Sequence, residues 1–258
     1  MTRLSSSTPI AVLGAGLTGM SAAFHLERAG VPHRIFERNA FAGGHVITRE
    51  GSGYRFDLTG HLLHLRDPEM RALALSWIGD DWLEIQRRSM IWSNGTYTRY
   101  PFQANTFGLP PQVAYDCLHG FLTTHYGGER PAPQNFEEFC LLHFGEGISR
   151  HFMIPYNTRL WGVPPSEITA DWCARFVPLP RLEDVLAGAV GLNDRELGYN
   201  TRVVYPRLGI GELSRGLARA VPQVELERAP SAIDWKRREI VFAGETVRYE
   251  ALVSSMPL

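Results

Sequence analysis

A chain of 258 residues with 44% apolar and 21% charged residues has the composition of a folded globular protein, which excludes the disordered, collagenous and coiled-coil classes. Its formal charge of −1 gives no electrostatic reason to expect a nucleic-acid partner, and it has no apolar run long enough for a transmembrane helix. Cys117, Cys140 and Cys173 are widely spaced and form no CxxC pair, which argues against a disulfide scaffold or structural zinc and points to a reducing cytoplasm.

In chain order, residues 9–13 (Pro-Ile-Ala-Val-Leu) are an apolar run that predicts a buried strand. Arg3 ahead of apolar residues has some likeness to a signal peptide, but the regular glycines that follow argue against one. The turn Gly14-Ala15-Gly16-Leu17-Thr18-Gly19 leads into a predicted helix over 20–29, stopped by Gly30 and Pro32, and a strand over 33–37. Residues 41–65 read as glycine-rich loop and strand, and 67–85 as one helix. Ser93-Asn94-Gly95 between two short runs with β-formers predicts a hairpin. Residues 110–150 read as mostly helical, broken at Gly127-Gly128, and 160–180 as irregular. A short helix over 182–190 and a helix over 213–221 follow. Short strands are expected over 224–228, 232–236, 239–242, 246–249 and 251–254. The pattern predicts the α/β class: a Rossmann-like dinucleotide domain over 1–65, a mostly helical substrate or cap domain over 66–200, and a strand-rich return to the first domain over 201–258.

The glycine turn carries the first functional argument. It follows a predicted strand, opens a predicted helix, and is followed by a strand ending in Glu37, 18 residues after Gly19. In such a unit Gly14 permits the tight turn, Gly16 lets backbone approach a pyrophosphate, and Gly19 allows close helix–strand packing. The helix N-terminus offers amides and a positive dipole end to phosphates, and Glu37 can accept from a ribose hydroxyl. The plain alternative is a tight strand–helix turn with a surface glutamate. Spacing alone leaves FAD and NAD both open.

The stretch after Glu37 is Arg38-Asn39-Ala40-Phe41-Ala42-Gly43-Gly44-His45. A glycine pair at this place resembles FAD enzymes of the amine-oxidase and mutase superfamily. Three further blocks are similar to the UDP-galactopyranose mutases. These are Tyr-Arg-Phe-Asp-Leu-Thr-Gly-His-Leu-Leu-His at 54–64, Tyr-Pro-Phe-Gln-Ala-Asn at 100–105, and Pro-Tyr-Asn-Thr-Arg-Leu-Trp at 155–161, with Trp172 and Arg175 behind them. The third block has Arg159 where the mutases carry lysine.

The resemblance implies FAD as cofactor, held by Gly14, Gly16, Leu17, Thr18, Gly19, Glu37, Arg38, Gly43, Gly44, His45, Gly60 and His61. Gly60 and His61 would lie against the flavin ring, with His61 as the catalytic candidate that tunes it. Tyr100, Phe102, Gln103, Asn157, Trp161 and Arg175 would border a nucleotide-sugar substrate, with Arg175 clamping the diphosphate. The implied activity is a redox-neutral isomerisation of a UDP-sugar through a covalent reduced-flavin adduct. An oxidoreductase of the amine-oxidase or desaturase type stays open as an alternative, as does an inactive partial chain. A metal reading of His61 and His64 is weaker, because no cysteine or acid joins them at ligand spacing. Without the resemblance, Trp161 and Trp172 would read as core aromatics. Against a flavoprotein of this type the 258 residues would be its first half to two-thirds.

Overall fold

The computed structural model describes residues 4–60, 62–192, 202–221 and 223–257. In chain order they form β1 (Leu4–Leu13), α1 (Leu17–Arg28), β2 (His33–Phe36), β3 (Thr48–Gly51), β4 (Tyr54–Asp57), α2 (Pro68–Ile78) and β5 (Trp82–Gln86). Next come β6 (Met90–Ser93), β7 (Thr96–Arg99), α3 (Pro111–His125), α4 (Phe136–Ile148), α5 (Ile154–Trp161), α6 (Cys173–Phe176) and α7 (Leu182–Ala189). The chain continues with β8 (Arg202–Pro206), α8 (Gly211–Ala220), β9 (Val224–Glu225), β10 (Ala232–Asp234), β11 (Glu239–Phe242) and β12 (Glu245–Ser254). Two compact units result, one of Met1–Ile85 with Arg202–Leu258 and one of Gln86–Thr201.

The first unit is built on a six-stranded sheet of order β10-β11-β12-β1-β2-β9. β12, β1, β2 and β9 run parallel, and β10 and β11 add an antiparallel edge. Alternation along the strands splits the core between two faces. Ala11, Leu13 and Phe36 pack with Ile240, Phe242 and Val247 on one face. Val12 and Ile35 face Met20 and Ala23 of α1 and Leu217 of α8 on the other. On the first face the Arg34 and Arg228 guanidinium groups lie 4.9 and 4.6 Å from the Phe36 and Phe242 ring centroids. Arg34 donates to both oxygens of Glu225, at 2.7 and 2.9 Å, and to Glu245 at 3.1 Å, so a charged network ties β2, β9 and β12.

Several expectations are corrected here. Residues 67–85 are a helix and then a strand, because Gly79 leaves the helix with φ +81° and Asp80-Asp81 precede β5. This stretch belongs to the first unit, so the boundary expected at 65 lies at 85. The cause is packing: Ala74 and Ile78 of α2 are buried with Ile210 and Leu213, and a Cβ on Gly216 would stand 2.0 Å from the Trp77 carbonyl oxygen. β1 begins at Leu4, five residues before the apolar run, because it pairs with β12 over its whole length. The strands expected over 246–249 and 251–254 are the single strand β12, and those over 224–228 and 232–236 shorten to β9 and β10.

In the second unit, Asn94 and Gly95 take φ of +51° and +80°, the turn an Asn-Gly hairpin demands. α3 and α4 cross backbone to backbone. A Cβ on Gly147 would stand 1.9 Å from the Asp116 carbonyl oxygen, and one on Gly145 would stand 2.1 Å from that of Gly120. Gly145 (φ 74°, ψ 177°) breaks α4, and a π-helical turn over Ser149–Met153 leads into α5. Phe102, Phe136, Phe144 and Ile148 form the core with all three cysteines. The cysteines are unpaired. Burial pushes the Cys117 and Cys140 thiols up to about 12 and the Cys173 thiol to about 11, so none presents a thiolate near neutral pH.

Candidate functional site

The ends of the parallel strands place the first group of residues. Gly14 follows β1, Glu37 follows β2 and Ser255 follows β12, so all three lie at carboxyl ends of neighbouring strands. Open α/β sheets bind ligands at such ends. Gly14 has φ +95°, and its amide donates to the Phe36 carbonyl at 2.8 Å. A Cβ on Gly19 would stand 1.9 Å from the Gly14 carbonyl oxygen, so only glycine lets α1 start against the turn. Gly16 is different: a Cβ there would have 3.9 Å to its nearest neighbour, so the fold itself does not require glycine. Gly16 offers α1 no side-chain cap, and no acid stands in the first turn. Thr18 is exposed and Leu17 half-buried at this N-terminus.

Glu37 is buried, and its carboxylate binds the turn. Its Oε2 accepts from the Ala15 amide at 2.8 Å. Its Oε1 accepts from the Asn39 backbone amide at 2.9 Å and side-chain amide at 2.7 Å. A carboxylate has about four acceptor positions, so one stays open to a ribose hydroxyl. Arg38 is exposed beside it.

The second glycine pair joins the first turn directly. The Gly43 amide donates to the Ala15 carbonyl at 2.7 Å, and a Cβ on Gly44 would stand 3.0 Å from the Gly16 Cα. Gly43 and Gly44 have φ of +124° and +59°, and His45 is exposed beyond them. Two glycine segments thus present backbone without side chains beside one strand end, a cradle suited to a dinucleotide. Gly60 is exposed, and His61 lies outside the described residues.

Four residues that the sequence did not single out as functional brace this region. Ser255 Oγ sits 3.1 Å from the Leu13 carbonyl oxygen and 3.3 Å from that of Gly14. Asp57 accepts from Thr48 Oγ1 at 2.6 Å, Tyr205 OH at 2.5 Å and the Ile210 amide at 3.1 Å. Burial, with the adjacent Asp57 carboxylate, pushes the Tyr205 phenol up to about 12, so it stays a donor. Gly209 and Gly211 serve this brace, since a Cβ on them would stand 2.3 Å from Thr48 Oγ1 and 2.7 Å from the Thr48 amide. The only sequence signal was an aspartate before a Gly-His and two glycines flanking Ile210, which do not announce one another across 150 residues.

In the second unit the expected substrate residues divide. Tyr100, Trp161 and Arg175 are exposed. The Trp161 ring meets Trp172 edge-on at 6.1 Å, and the Arg175 guanidinium lies 5.4 Å from the Phe176 ring centroid. With Tyr156 and Arg159, also exposed, they supply aromatic and guanidinium groups to solvent. Phe102, Gln103 and Asn157 are buried. Phe102 stacks on Phe152 at 4.5 Å in the core. Gln103 donates to the Pro178 carbonyl at 2.8 Å, and Asn157 donates to the Met153 carbonyl at 2.7 Å. They shape the unit from inside.

Among the described residues no group of histidines, cysteines and acids is placed to hold a metal, and no helix is long and apolar enough to cross a membrane.

Comparison with known proteins agrees with this geometry. The family model of the NAD(P)-binding Rossmann-like domain matches residues 12–75. The solved structure of reduced UDP-galactopyranose mutase superposes with a TM-score of 0.85 at 31% identity, covering 97% of this chain and 56% of that one. Putrescine oxidase superposes with a TM-score of 0.61 at 19% identity, which shows the fold alone. A 1-hydroxycarotenoid 3,4-desaturase of Flavobacterium sp. (strain P99-3) is 31% identical over 111 residues, 41% of this chain and 22% of its own length. A 4,4'-diaponeurosporene oxygenase of Staphylococcus aureus is 28% identical over 129 residues, 50% of this chain and 24% of its own length. The chain therefore spans about a quarter or less of these curated relatives and 56% of the mutase. On its fold, its glycine cradle and these likenesses, the chain carries a Rossmann-like dinucleotide-binding domain suited to FAD and is similar to UDP-galactopyranose mutase over 97% of its length.

Proposed function

We propose that this chain is the cofactor- and nucleotide-binding portion of an enzyme that isomerises a UDP-sugar. The observation that carries this reading is the likeness to UDP-galactopyranose mutase, with a TM-score of 0.85 at 31% identity over both units, against 0.61 at 19% for putrescine oxidase over a similar span. The exposed Trp161 and Arg175 support it. An aromatic face suits a base, and a guanidinium pairs two donors with phosphate oxygens.

In this reading Gly14 to Gly19 and the α1 N-terminus hold the FAD pyrophosphate, and Glu37 holds a ribose hydroxyl through its open acceptor position. Gly43, Gly44 and Gly60 let backbone lie against the cofactor where side chains would collide, and His61 tunes the ring. Bound there, the flavin supplies electron-transfer and nucleophilic chemistry that side chains lack. The protein's part is to bind, orient and desolvate. Arg175 orients the diphosphate, Trp161 supports the base, and Tyr100 borders the sugar. The three unpaired buried cysteines fit a reducing cytoplasm as the setting.

Product analysis tests the reading. The FAD-loaded protein, reduced with dithionite, is expected to convert UDP-galactopyranose into its ring-contracted isomer, and the oxidised protein is expected to be inactive. An unchanged UDP-sugar, together with flavin reduction by an amine or an apolar polyene and reoxidation by oxygen, would establish the oxidoreductase instead.

A further inference from the structure

We infer that Asp57 and Tyr205 are positioning residues that fix the Gly60 segment from the floor of the first unit. The inference rests on the reading above in one respect, that Gly60 faces the flavin. Gly60 is bracketed in sequence by Asp57 and Leu63, and both are tied to β8. Asp57 accepts from the Tyr205 hydroxyl at 2.5 Å. Leu63 and Val204 exchange backbone hydrogen bonds in both directions, at 3.0 and 2.9 Å. The two ties therefore land on adjacent residues of one strand. Asp57 is held in turn by Thr48 Oγ1 at 2.6 Å and by the Ile210 amide at 3.1 Å, which joins β3 and the start of α8 to the same carboxylate.

The carboxylate is the center of this arrangement because it accepts from three elements at once. A neutral amide in its place offers one oxygen and two donors, and both Tyr205 and the Ile210 amide are donors. The close approach is built in. Gly209, with φ +95°, could carry no side chain, since its Cβ would stand 2.3 Å from Thr48 Oγ1 and 2.9 Å from Asp57 Oδ1. Four residues from two separated stretches of sequence, Thr48 and then Tyr205, Gly209 and Ile210, are thus committed to one carboxylate, three residues ahead of Gly60. A brace of that extent next to a cofactor-facing segment sets where that segment's backbone sits, and hence the polar groups it presents to the ring.

Tyr205→Phe removes one hydroxyl and keeps the ring. Amide hydrogen exchange on the chain without added cofactor is expected to quicken at least tenfold over 58–60 and at Leu62, with β1 and β12 unchanged. In the FAD-loaded protein, the same variant is expected to shift the visible flavin band and the reduction midpoint. Thr48→Val is expected to do likewise, and Thr48→Ser, which keeps the hydroxyl, to restore both. Arg34→Gln serves as the comparison, because it lowers thermal stability through the sheet network and is expected to leave exchange over 58–60 and the flavin midpoint alone. Unchanged exchange over 58–60 in Tyr205→Phe overturns the brace. Quickened exchange with an unmoved flavin band and midpoint overturns its role toward the cofactor. If the unsubstituted chain takes up no FAD, the functional reading fails and the role toward the cofactor fails with it, while the exchange result still decides the brace.

Discussion

Gly16 and Gly19 sit three residues apart in one turn, and the structure gives them different duties. Gly19 is a matter of folding, because its Cβ would stand 1.9 Å from the Gly14 carbonyl oxygen. Gly16 has 3.9 Å of room, so the fold makes no demand for glycine there, and the proposed function gives it the pyrophosphate to face. Gly19→Ala should therefore cost roughly 1–3 kcal/mol of stability through overpacking, seen as a lowered urea midpoint. Gly16→Ala should stay within about 0.5 kcal/mol of the parent and yet weaken FAD binding, measured by flavin fluorescence quenching. Equal loss of stability in both would mean that the turn is only a structural feature. At this scale the sequence was informative wherever a residue acts locally. Gly14, Gly19 and Glu37 were legible because their spacing along the chain is their geometry. The burial of Phe102, Gln103 and Asn157 was not, because it depends on what the rest of the unit packs over them. Asp57 and Tyr205 were not, because a hydrogen bond across 148 residues leaves no local pattern.

At the scale of elements, α3 and α4 approach backbone to backbone at Gly120, Gly145 and Gly147, beside the buried side chains of Cys117, Phe121, Cys140 and Phe144. The bend at Gly145 and the π-helical turn after it redirect the chain into α5, which carries Asn157, Arg159 and Trp161. Asp116 on α3 pins that turn by accepting from Arg150 at 2.8 Å and His151 at 2.9 Å. The His151 hydrogen bond leads in holding the Asp116 carboxyl below its usual range. Gly147→Ala would put a Cβ 1.9 Å from the Asp116 carbonyl oxygen, so it should cost about 1–3 kcal/mol of stability, seen as a lowered urea midpoint, and change the tryptophan fluorescence. Preserved stability and fluorescence would show that the helices can part without moving α5. Elements with their own punctuation were read correctly, as in the Asn94-Gly95 hairpin and α1, which ends just before Gly30. Those set by partners were misread. β1 runs back through Ser5, Ser6 and Ser7 because β12 lies alongside, a pairing that outweighs weak strand propensity. Residues 67–85 looked like one amphipathic helix, yet Gly79 ends it and β5 pairs with β8.

For the whole molecule, the alternation of strand-rich, helix-rich and strand-rich stretches was enough to foresee an α/β fold with an insertion, because the period of apolar residues follows the type of element. The exact division was not legible. α2 and β5 join the first unit through packing of Ala74, Trp77 and Ile78, side chains that would suit a helical domain equally well. The functional reading has the same character. The cradle at the strand ends is a property of the fold, whereas the proposed nucleotide-sugar substrate draws on exposed groups of the second unit, above all Trp161 and Arg175. The most direct test is a titration of the FAD-loaded, reduced protein with UDP, followed by tryptophan fluorescence and the flavin spectrum. The account predicts a saturable change that Arg175→Ala weakens at least tenfold while shifting stability by no more than about 0.5 kcal/mol. No saturable response to UDP in a protein that demonstrably holds FAD would contradict it.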